Sequence, residues 1–223
     1  EGVLAGNIFD WGAKACVDLY KNGTILDIYR RTRSDLRRPF GIDELDAFQH
    51  KLAGGSYRKA VVLCDNAGAD IVLGVLPLAR ELLRRGTSVV LAANSMPALN
   101  DVTKPELNQL LLQAADLCPV LSAGLRGGDG GGPSLVVRGN GSGSPCIDLR
   151  RVSVRLCEAA ADCDLLVIEG MGRAIHTNFG AEFTCDTLKL AMIKNERVAS
   201  SLFGGKLYDC VVKFEPAAPA SPR

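Results

Sequence analysis

The sequence predicts an α/β fold: a doubly wound, three-layer α/β/α sandwich around a mainly parallel sheet of about five strands. Two observations predict it. Short, continuous runs of Val, Leu, Ile and Ala alternate along the chain with longer stretches whose apolar residues recur at helical spacing. The chain also has 223 residues, of which 47% are hydrophobic and 23% charged, as is usual for a globular protein.

Each apolar run is closed by polar or turn-forming residues, as expected for a strand that is buried on both faces. The predicted strands are 59–64, 87–93, 134–138, 164–168 and 207–214. The predicted helices between them are 70–85, 104–115, 148–161 and 185–202. Pro77 lies inside the first of these helices, where it predicts a kink or marks the early turns.

The first 55 residues differ from the rest, because helical patterns at 7–20 and 43–52 have no strand between them. The glycine-rich stretch 126–133 predicts a mobile loop. The predicted parts are a helical cap at 1–55, an α/β core at 56–215 and a disordered Pro/Ala/Ser-rich tail at 216–223.

Charge and cysteine usage exclude several classes of protein. With 26 Lys and Arg against 25 Asp and Glu, the chain lacks the basic excess of a general nucleic-acid binder. No apolar run approaches the ~18–20 residues of a membrane span, and the N-terminus shows no basic-then-apolar signal. Eight cysteines without a Cys-x-x-Cys pair predict buried thiols rather than a disulfide framework or a zinc ribbon. We therefore expect a cytoplasmic protein with no nucleic-acid or membrane partner.

Polar residues follow the first two predicted strands. Asp65 and Asn66 follow the first, and Asn94 and then Asp101 follow the second. In an open parallel sheet, ligands bind outside the carboxyl ends of the strands. Two carboxylates and a carboxamide oxygen are ligands for a hard divalent cation, and the lack of His and Cys argues against zinc. The alternative is helix capping, since Asp65-Asn66 and Asp101 each precede a predicted helix. Position alone leaves both interpretations open.

Glycine-rich segments follow the third and fourth strands. Residues 139–144 are typical of a phosphate-binding nest of backbone N–H groups, or of a flexible turn. Neither Gly139-x-Gly141 nor Gly170-x-Gly172 has the third glycine of a dinucleotide-binding fingerprint. The sequence also lacks the P-loop and the Gly-x-Ser-x-Gly elbow of hydrolases.

Candidate cations for an anionic substrate are Arg173 and, on the predicted 185–202 helix, Lys189 or Lys194. The alternative for either lysine is a solvated position on the helix surface. His176 is either a residue at the edge of the site or a helix cap.

Four segments together resemble one protein family. They are Asp65-Asn66-Ala-Gly-Ala-Asp70, Asn100-Asp101-Val-Thr103, Glu169-Gly-Met-Gly-Arg173-Ala-Ile-His176-Thr-Asn178 and Lys189-Leu-Ala-Met-Ile-Lys194-Asn195. The family is the metal-dependent damage-control phosphatases (domain of unknown function 89), and the Glu-Gly-Met-Gly-Arg run resembles its pantothenate-kinase-associated subfamily. The resemblance extends from Gly6-Asn7 to about Phe214 and implies a Rossmann-like core with a helical portion.

The resemblance also implies functional residues. In the family, the matching Asp-Asn pair and the later Asp hold the divalent metal, which implies Asp65, Asn66 and Asp101 here. The predicted catalytic residues are Asp65, Asp101, Arg173 and Lys194. The predicted substrate- and phosphate-binding residues are Asn7, Asn94, Glu169, Gly170, Gly172, Arg173, His176 and Lys194. Family members carry a longer helical region before the Gly-Asn motif, so we expect this chain to be a fragment or its helical cap to be truncated.

The function that follows is hydrolysis of small phosphomonoesters, by resemblance 4′-phosphopantetheine or its oxidised, damaged forms, with Mn²⁺, Ni²⁺, Co²⁺ or Mg²⁺. Ala67 stands where aspartyl phosphatases carry their second acidic residue, so the sequence favours water over Asp65 as the nucleophile. The main alternative is a non-catalytic module that senses phosphopantetheine or coenzyme A, or supports a fused pantothenate-kinase-like domain. A nucleotide-binding oxidoreductase is a weaker third hypothesis. Assembly as a homo-oligomer is also compatible with the sequence.

Overall fold

The computed structural model describes residues 1–11, 16, 23–127 and 131–218. The strands are β1 Ile42–Asp43, β2 Lys59–Leu63, β3 Ser88–Ala93, β4 Leu135–Gly139, β5 Leu165–Glu169, β6 Asp186–Met192 and β7 Cys210–Glu215. The helices are α1 Gly2–Gly6, α2 Ile25–Asp35, α3 Leu45–Ala53, α4 Leu76–Arg84, α5 Lys104–Leu117, α6 Pro119–Leu125, α7 Val154–Ala160 and α8 Glu196–Phe203. Short π-helical segments span Ile71–Val75 and Met171–Thr177, and a 3₁₀ turn spans Leu149–Arg151.

The strands form one sheet in the order β1-β7-β6-β5-β2-β3-β4. Every neighbouring pair is parallel except β6 and β7, which are antiparallel. From β2 the chain winds outward through β3 to β4, and from β5 it winds in the opposite direction to β6. The winding therefore reverses between β2 and β5, which is where open α/β sheets bind ligands.

Both faces of the sheet are covered by apolar side chains. Val62 and Val167 pack in the core on the side of α4, α5 and α6, whereas Val61 and Leu166 pack on the side of α7. Because consecutive strand residues point to opposite faces, two covered faces require a continuous apolar run rather than an alternating one. The predicted three-layer, mainly parallel α/β sandwich is confirmed, although the described part of the sheet has seven strands instead of about five.

The predicted helix 185–202 is wrong over its first half. Residues Asp186–Met192 form β6, all seven of them buried, and the helix α8 begins only at Glu196. Lys189 is the reason that the pattern misleads, because a lysine inside a buried strand contradicts the apolar signal. Its ammonium group is completely buried and donates to the backbone oxygens of Phe179 and Ala181, each at 2.9 Å, and pairs with Glu215.

The N-terminal region also departs from the prediction. It contributes a strand, because β1 pairs with β7, with Ile42 opposite Val211. The helix predicted from residue 7 instead ends there, since α1 stops at Gly6 and Asn7 is its C-cap. The rest of the predicted 7–20 helix, at 12–15 and 17–20, lies outside the described residues.

Three smaller predictions fare differently. Pro77 does mark an early turn, since it lies in the first turn of α4. The predicted helix 148–161 is shorter, because a 3₁₀ turn precedes α7, which Ser153 caps. The tail is ordered further than predicted, since the Ala217 and Ala218 N–H groups donate to Asp186 and to the Phe183 oxygen, each at 2.9 Å. Residues 128–130 of the predicted mobile loop and 219–223 of the tail lie outside the described residues.

No described helix combines the length and the apolar character that crossing a membrane requires.

Candidate active site

The polar residues that follow β2 and β3 meet at the reversal point of the sheet. The chain after β3 folds back across the end of β2, where Asn66 pairs with Asp101 in an isolated antiparallel bridge. The Val102 N–H donates to the backbone oxygen of Asp65 at 2.9 Å, which holds the 101–102 segment against the end of β2. Asp65, Asn66 and Asp101 are 5%, 2% and 7% exposed, so three polar side chains are buried in one place.

A buried guanidinium lies between the two carboxylates. Arg173, 1% exposed, pairs through Nη1 with Asp65 Oδ1, and its Nη2 donates to Asp101 Oδ2 at 2.7 Å. The same Nη2 donates to Asn94 Oδ1 at 3.2 Å, and Asn94 in turn donates to Asp101 at 3.0 Å. Carboxylates from two adjacent strand ends therefore converge on one cation.

Gly170 makes this convergence possible. Its φ of +91° belongs to a region that favours glycine, and a Cβ there would lie 2.2 Å from the Asp65 carboxylate. The chain turns sharply after β5 and enters the π-helical segment, whose buried side carries Arg173. A Cβ on Gly172 would lie 2.5 Å from the Pro145 oxygen, so this glycine also serves close backbone packing.

Lys194 brings a second buried cation to the opposite side of Asp65. It follows β6, and its ammonium donates to the Asn7 backbone oxygen at 2.7 Å and pairs with Asp10 at 2.9 Å. The Asn7 side chain donates to Asp65 Oδ2 at 3.0 Å and to Asp70 Oδ2 at 3.1 Å. The segment after α1 thus joins the site although it is 58 residues from Asp65 in sequence.

Asp70 and Glu169 form a buried acidic pair behind Asp65. Burial, reinforced by the Asp65 charge, raises the pKa of Asp70 to about 6. Burial and the neighbouring Asp70 and Asp65 charges also raise the pKa of Glu169 well above its ordinary value. Glu169 Oε2 accepts from the Asp65 N–H at 3.2 Å, and the Asp70 and Glu169 carboxyl groups lie in hydrogen-bonding contact with each other. Burial and the neighbouring carboxylates therefore disfavour the ionised form of both acids.

The pKa directions of the central groups follow from burial and pairing. Burial raises the pKa of Asp101 and the Asp65 charge adds to this, although Arg173 opposes both. For Arg173 and Lys194, burial acts to lower the pKa, but nearby carboxylates, Asp65 foremost, outweigh it and raise the pKa of both cations. Ionisation of Asp101 is therefore disfavoured, whereas the charged forms of Arg173 and Lys194 are favoured.

The capping alternative for Asp101 is wrong. Thr103 caps α5, in a capping box with Glu106, and the Asp101 carboxylate is bonded to Asn94 and Arg173 instead. Asp65 caps no helix either, because its oxygens accept from Arg173, Asn7 and Asn66.

In the 139–144 segment, for which the sequence left a phosphate nest and a flexible turn open, two N–H groups are bonded to protein side chains. The Gly141 N–H donates to Ser95 at 2.8 Å, and the Ser142 N–H donates to the Asn140 side chain at 2.7 Å. Neither residue stands at a helix N-terminus, since α7 begins only after Ser153.

Of the predicted site residues, His176 is the one that the structure keeps apart, because its side chain is exposed and takes no part in the buried network.

Sequence reasoning missed three contributors, which are Asp70, Asp10 and Asn140. Asn140 donates to Asn94 at 2.7 Å and so fixes the amide that faces Arg173. Asp70 carried a signal, since it ends the Asp65–Asp70 segment that resembles the family, but no role was predicted for it. Asp10 ends the Gly6–Asp10 segment that also resembles the family, but only Asn7 was predicted from that segment.

A divalent cation agrees with the chemistry of this donor set. Asp65 and Asp101 present hard oxygens that already converge on a positive charge, and the Asn66 side chain lies beside them. Among the described residues, no three side chains of His, Cys, Asp and Glu are grouped as a metal site. A cation here would therefore rest on two carboxylates and neutral oxygens. Asn66 presently turns its amide nitrogen to Asp65 at 3.0 Å, while its oxygen accepts from Asn100.

Comparison with known proteins identifies the family. The model of the damage-control phosphatase ARMT1-like domain matches residues 1–211. The chain belongs to this family. Phosphatases of the family generally depend on a metal ion.

Named relatives and one solved structure agree with this. The chain is 52% identical to pantothenate kinase 2 of Arabidopsis thaliana over 97% of its own length and 26% of the relative's. It is 46% identical to the damage-control phosphatase At2g17340 of the same plant, covering 96% of this chain and 56% of that one. It is 35% identical to mouse 4′-phosphopantetheine phosphatase, covering 96% and 32%. The chain thus spans about a quarter to just over half of these relatives.

The solved structure shows the fold alone. A DUF89 family protein of Pyrococcus horikoshii matches 95% of this chain and 65% of its own, with a TM-score of 0.63 at 18% identity.

Proposed function

We propose that this chain is a metal-dependent phosphatase that hydrolyses small phosphomonoesters. The observation that carries the proposal is the convergence of Asp65, Asp101 and two buried cations, Arg173 and Lys194, at the reversal point of the sheet. Membership of the damage-control phosphatase family supports it. A phosphoryl group needs positive charge on its oxygens and a positioned nucleophile, and this site contains groups for both.

Each residue has a role in the proposal. A divalent cation held by Asp65, Asp101 and the Asn66 oxygen would polarise the phosphoryl group and offset its charge. Arg173 pairs with phosphate oxygens once its guanidinium leaves the two carboxylates, since its planar fork matches phosphate geometry. Lys194 adds a fixed positive charge on the other side of Asp65.

Asp65 positions a water molecule in this proposal rather than attacking phosphorus itself. Its Oδ2 accepts from Asn7 and Asn66, and its Oδ1, which faces Arg173 in this structure, would face the divalent cation once Arg173 binds the phosphate. An oxygen that is held by several donors has its charge spread among them and is a weaker nucleophile than a free carboxylate oxygen.

The substrate that we propose is 4′-phosphopantetheine or one of its oxidised forms, in keeping with the printed name of the mouse relative. The plant relatives named pantothenate kinase 2 are about four times as long as the matched region, which supports a longer parent chain that carries a kinase-like domain. All eight cysteines lie in described residues and are free thiols, which agrees with a cytoplasmic location.

The test is phosphate release from 4-nitrophenyl phosphate and from 4′-phosphopantetheine after exhaustive chelation. We expect no release until Mg²⁺, Mn²⁺, Co²⁺ or Ni²⁺ is added, with the metals ranked by rate. Asp164→Asn, a change at the opposite end of the sheet, is the matched control and should keep wild-type turnover. Equal rates in excess chelator would contradict metal dependence, and tight ligand binding without turnover would favour the sensor module.

A further inference from the structure

A depression lies at the edge strand β4. It has a volume of about 580 Å³ and is lined by Lys104, Arg138, Arg155, Glu158 and Ala159. Three of these side chains are cations and one is an acid. Among the described residues, Lys104 and Arg155 have no ion-pair or hydrogen-bond partner for their charged groups, and Arg138 donates only to the Val137 oxygen.

The depression is joined to the active site by short lengths of backbone. Lys104 lies three residues after Asp101, and its N–H donates at 2.8 Å to the backbone oxygen of Asn94, whose side chain contacts Arg173. Arg138 lies two residues before Asn140, which holds the Asn94 amide. Three residues of extended chain span at most about 11 Å, so Lys104 lies within reach of a small molecule bound at Asp101, and Arg138 and Arg155 line the same depression.

Lys104 carries its positive charge at an unfavourable position, which a bound anion would make more favourable. It is the first residue of the fourteen-residue helix α5, where the helix dipole makes a cation unfavourable. Its stem crosses the carboxyl end of β4, because a Cβ on Gly139 would lie 3.6 Å from Lys104 Cδ. Like charges gathered in one depression repel each other, and an anion bound among them would remove that cost.

We propose that this depression binds a second anionic group of the substrate, such as a phosphate, sulfonate or carboxylate, while the first phosphate lies at Asp65 and Asp101. The proposal rests on the proposed phosphatase function for the first phosphate only. The site therefore selects doubly anionic phosphomonoesters over simple ones. An alternative role for these cations is to protect the edge of the sheet from pairing with other chains.

The experiment measures binding rather than turnover, so that it separates this proposal from the phosphatase proposal. Alkane-α,ω-bisphosphonates with two to eight carbons are titrated calorimetrically into the metal-supplemented protein, beside the matching alkylphosphonates. We expect the bisphosphonate to bind about five- to tenfold more tightly at one intermediate spacer, with no gain at the shortest. Failure of phosphomonoester hydrolysis, with this preference intact, would reject the phosphatase but leave the anion site.

Variants then assign the preference to residues. Lys104→Met combined with Arg155→Gln should abolish the gain and leave alkylphosphonate affinity unchanged. Arg151→Gln removes an exposed arginine that does not line the depression, and should keep the gain. Equal binding of the two ligand series by the wild type, or an unchanged gain in a folded double variant, would overturn the proposal. Tightening of alkylphosphonate binding by added inorganic phosphate would overturn the assignment to the substrate, because a separate anion would then be the ligand.

Discussion

Both ends of this sheet carry acidic residues that are buried or half-buried, but the surroundings of these acids differ. At the amino ends of the strands, Asp164 accepts from the Arg58 and Lys59 N–H groups, each at 2.9 Å. Asp186 accepts from the Tyr57 hydroxyl and the Ala217 N–H, each at 2.9 Å. These carboxylates close backbone ends that would otherwise be unpaired.

At the carboxyl ends, the acids instead lie beside one another as well as beside a buried cation. Asp101 and Asp65 share the guanidinium of Arg173, while Asp70 and Glu169 contact each other behind Asp65. The pKa directions record the difference. Burial raises the pKa of Asp101, whereas at Asp186 the bonds from Ala217, Tyr57 and Lys51 outweigh burial and lower the pKa. Ionised Asp186 therefore contributes to stability, whereas ionised Asp101 reduces it, as is common where a ligand is bound.

The strongest test of this comparison is Asp101→Asn. Removal of a residue that only supports a metal ligand costs about 10–100-fold in metal affinity or activity, so we expect metal-dependent phosphate release to fall by more than about 100-fold. Since the raised pKa means that the ionised form is unfavourable when folded, metal-free stability should stay unchanged or rise. The metal-induced rise in melting temperature should disappear. Near wild-type turnover with the same metal requirement would show that the site is misplaced.

Arg173→Met should have the next largest effect. It leaves Asp65 and Asp101 buried without their cation, and breaking a buried pair costs about 3–5 kcal/mol. We expect the metal-free variant to lose about 3–5 kcal/mol of stability in urea unfolding. Added divalent metal should restore part of this stability, because the metal can bind the two carboxylates without competition from the guanidinium. A tighter metal affinity in calorimetry, together with impaired phosphate release, would agree. A variant whose stability does not respond to metal would contradict a shared position for the two cations.

A pair of glycines extends the comparison. An alanine at position 170 would have to adopt a φ of +91°, and its Cβ would lie 2.2 Å from the Asp65 carboxylate. Gly170→Ala should therefore cost about 1–3 kcal/mol of stability and displace Asp65, with loss of phosphate release. Gly55, near the amino end of β2, has no atom within 4 Å of the position that an alanine Cβ would take, so Gly55→Ala should be close to neutral. Thermal melts and phosphate release of the two variants check both expectations. An active, stable Gly170→Ala protein would contradict the geometry of the turn.

Parts of this site were predictable because they depend on local sequence. The apolar run of β2 followed by Asp65-Asn66 locates one strand end, and parallel topology then places Asp101 beside it. Burial of Arg173 and the contact between Lys194 and Asn7 were not, because they depend on how distant segments pack. The failure at β6 has the same origin, since Lys189 is buried only because the Phe179 oxygen and Glu215 pair with it.

The smallest expected effect is that of Asp186→Asn, at the amino end of the sheet. The direction in which its effect on stability changes with pH distinguishes Asp186 from Asp101. Asp186→Asn weakens one hydrogen bond and the contact with Lys51, which should cost about 1 kcal/mol at pH 7 and leave phosphate release unchanged. Since the folded pKa of Asp186 is lowered, its contribution is present above the unfolded value near 4 and is lost as the pH falls through the folded pKa. The stability difference between wild type and variant, from urea unfolding in chelator, should therefore shrink below about pH 4.

The raised pKa of Asp101 gives the opposite slope, because its ionisation penalty appears as the pH rises. Equal slopes for the two variants would remove the physical distinction between a structural carboxylate and one that is kept for a ligand.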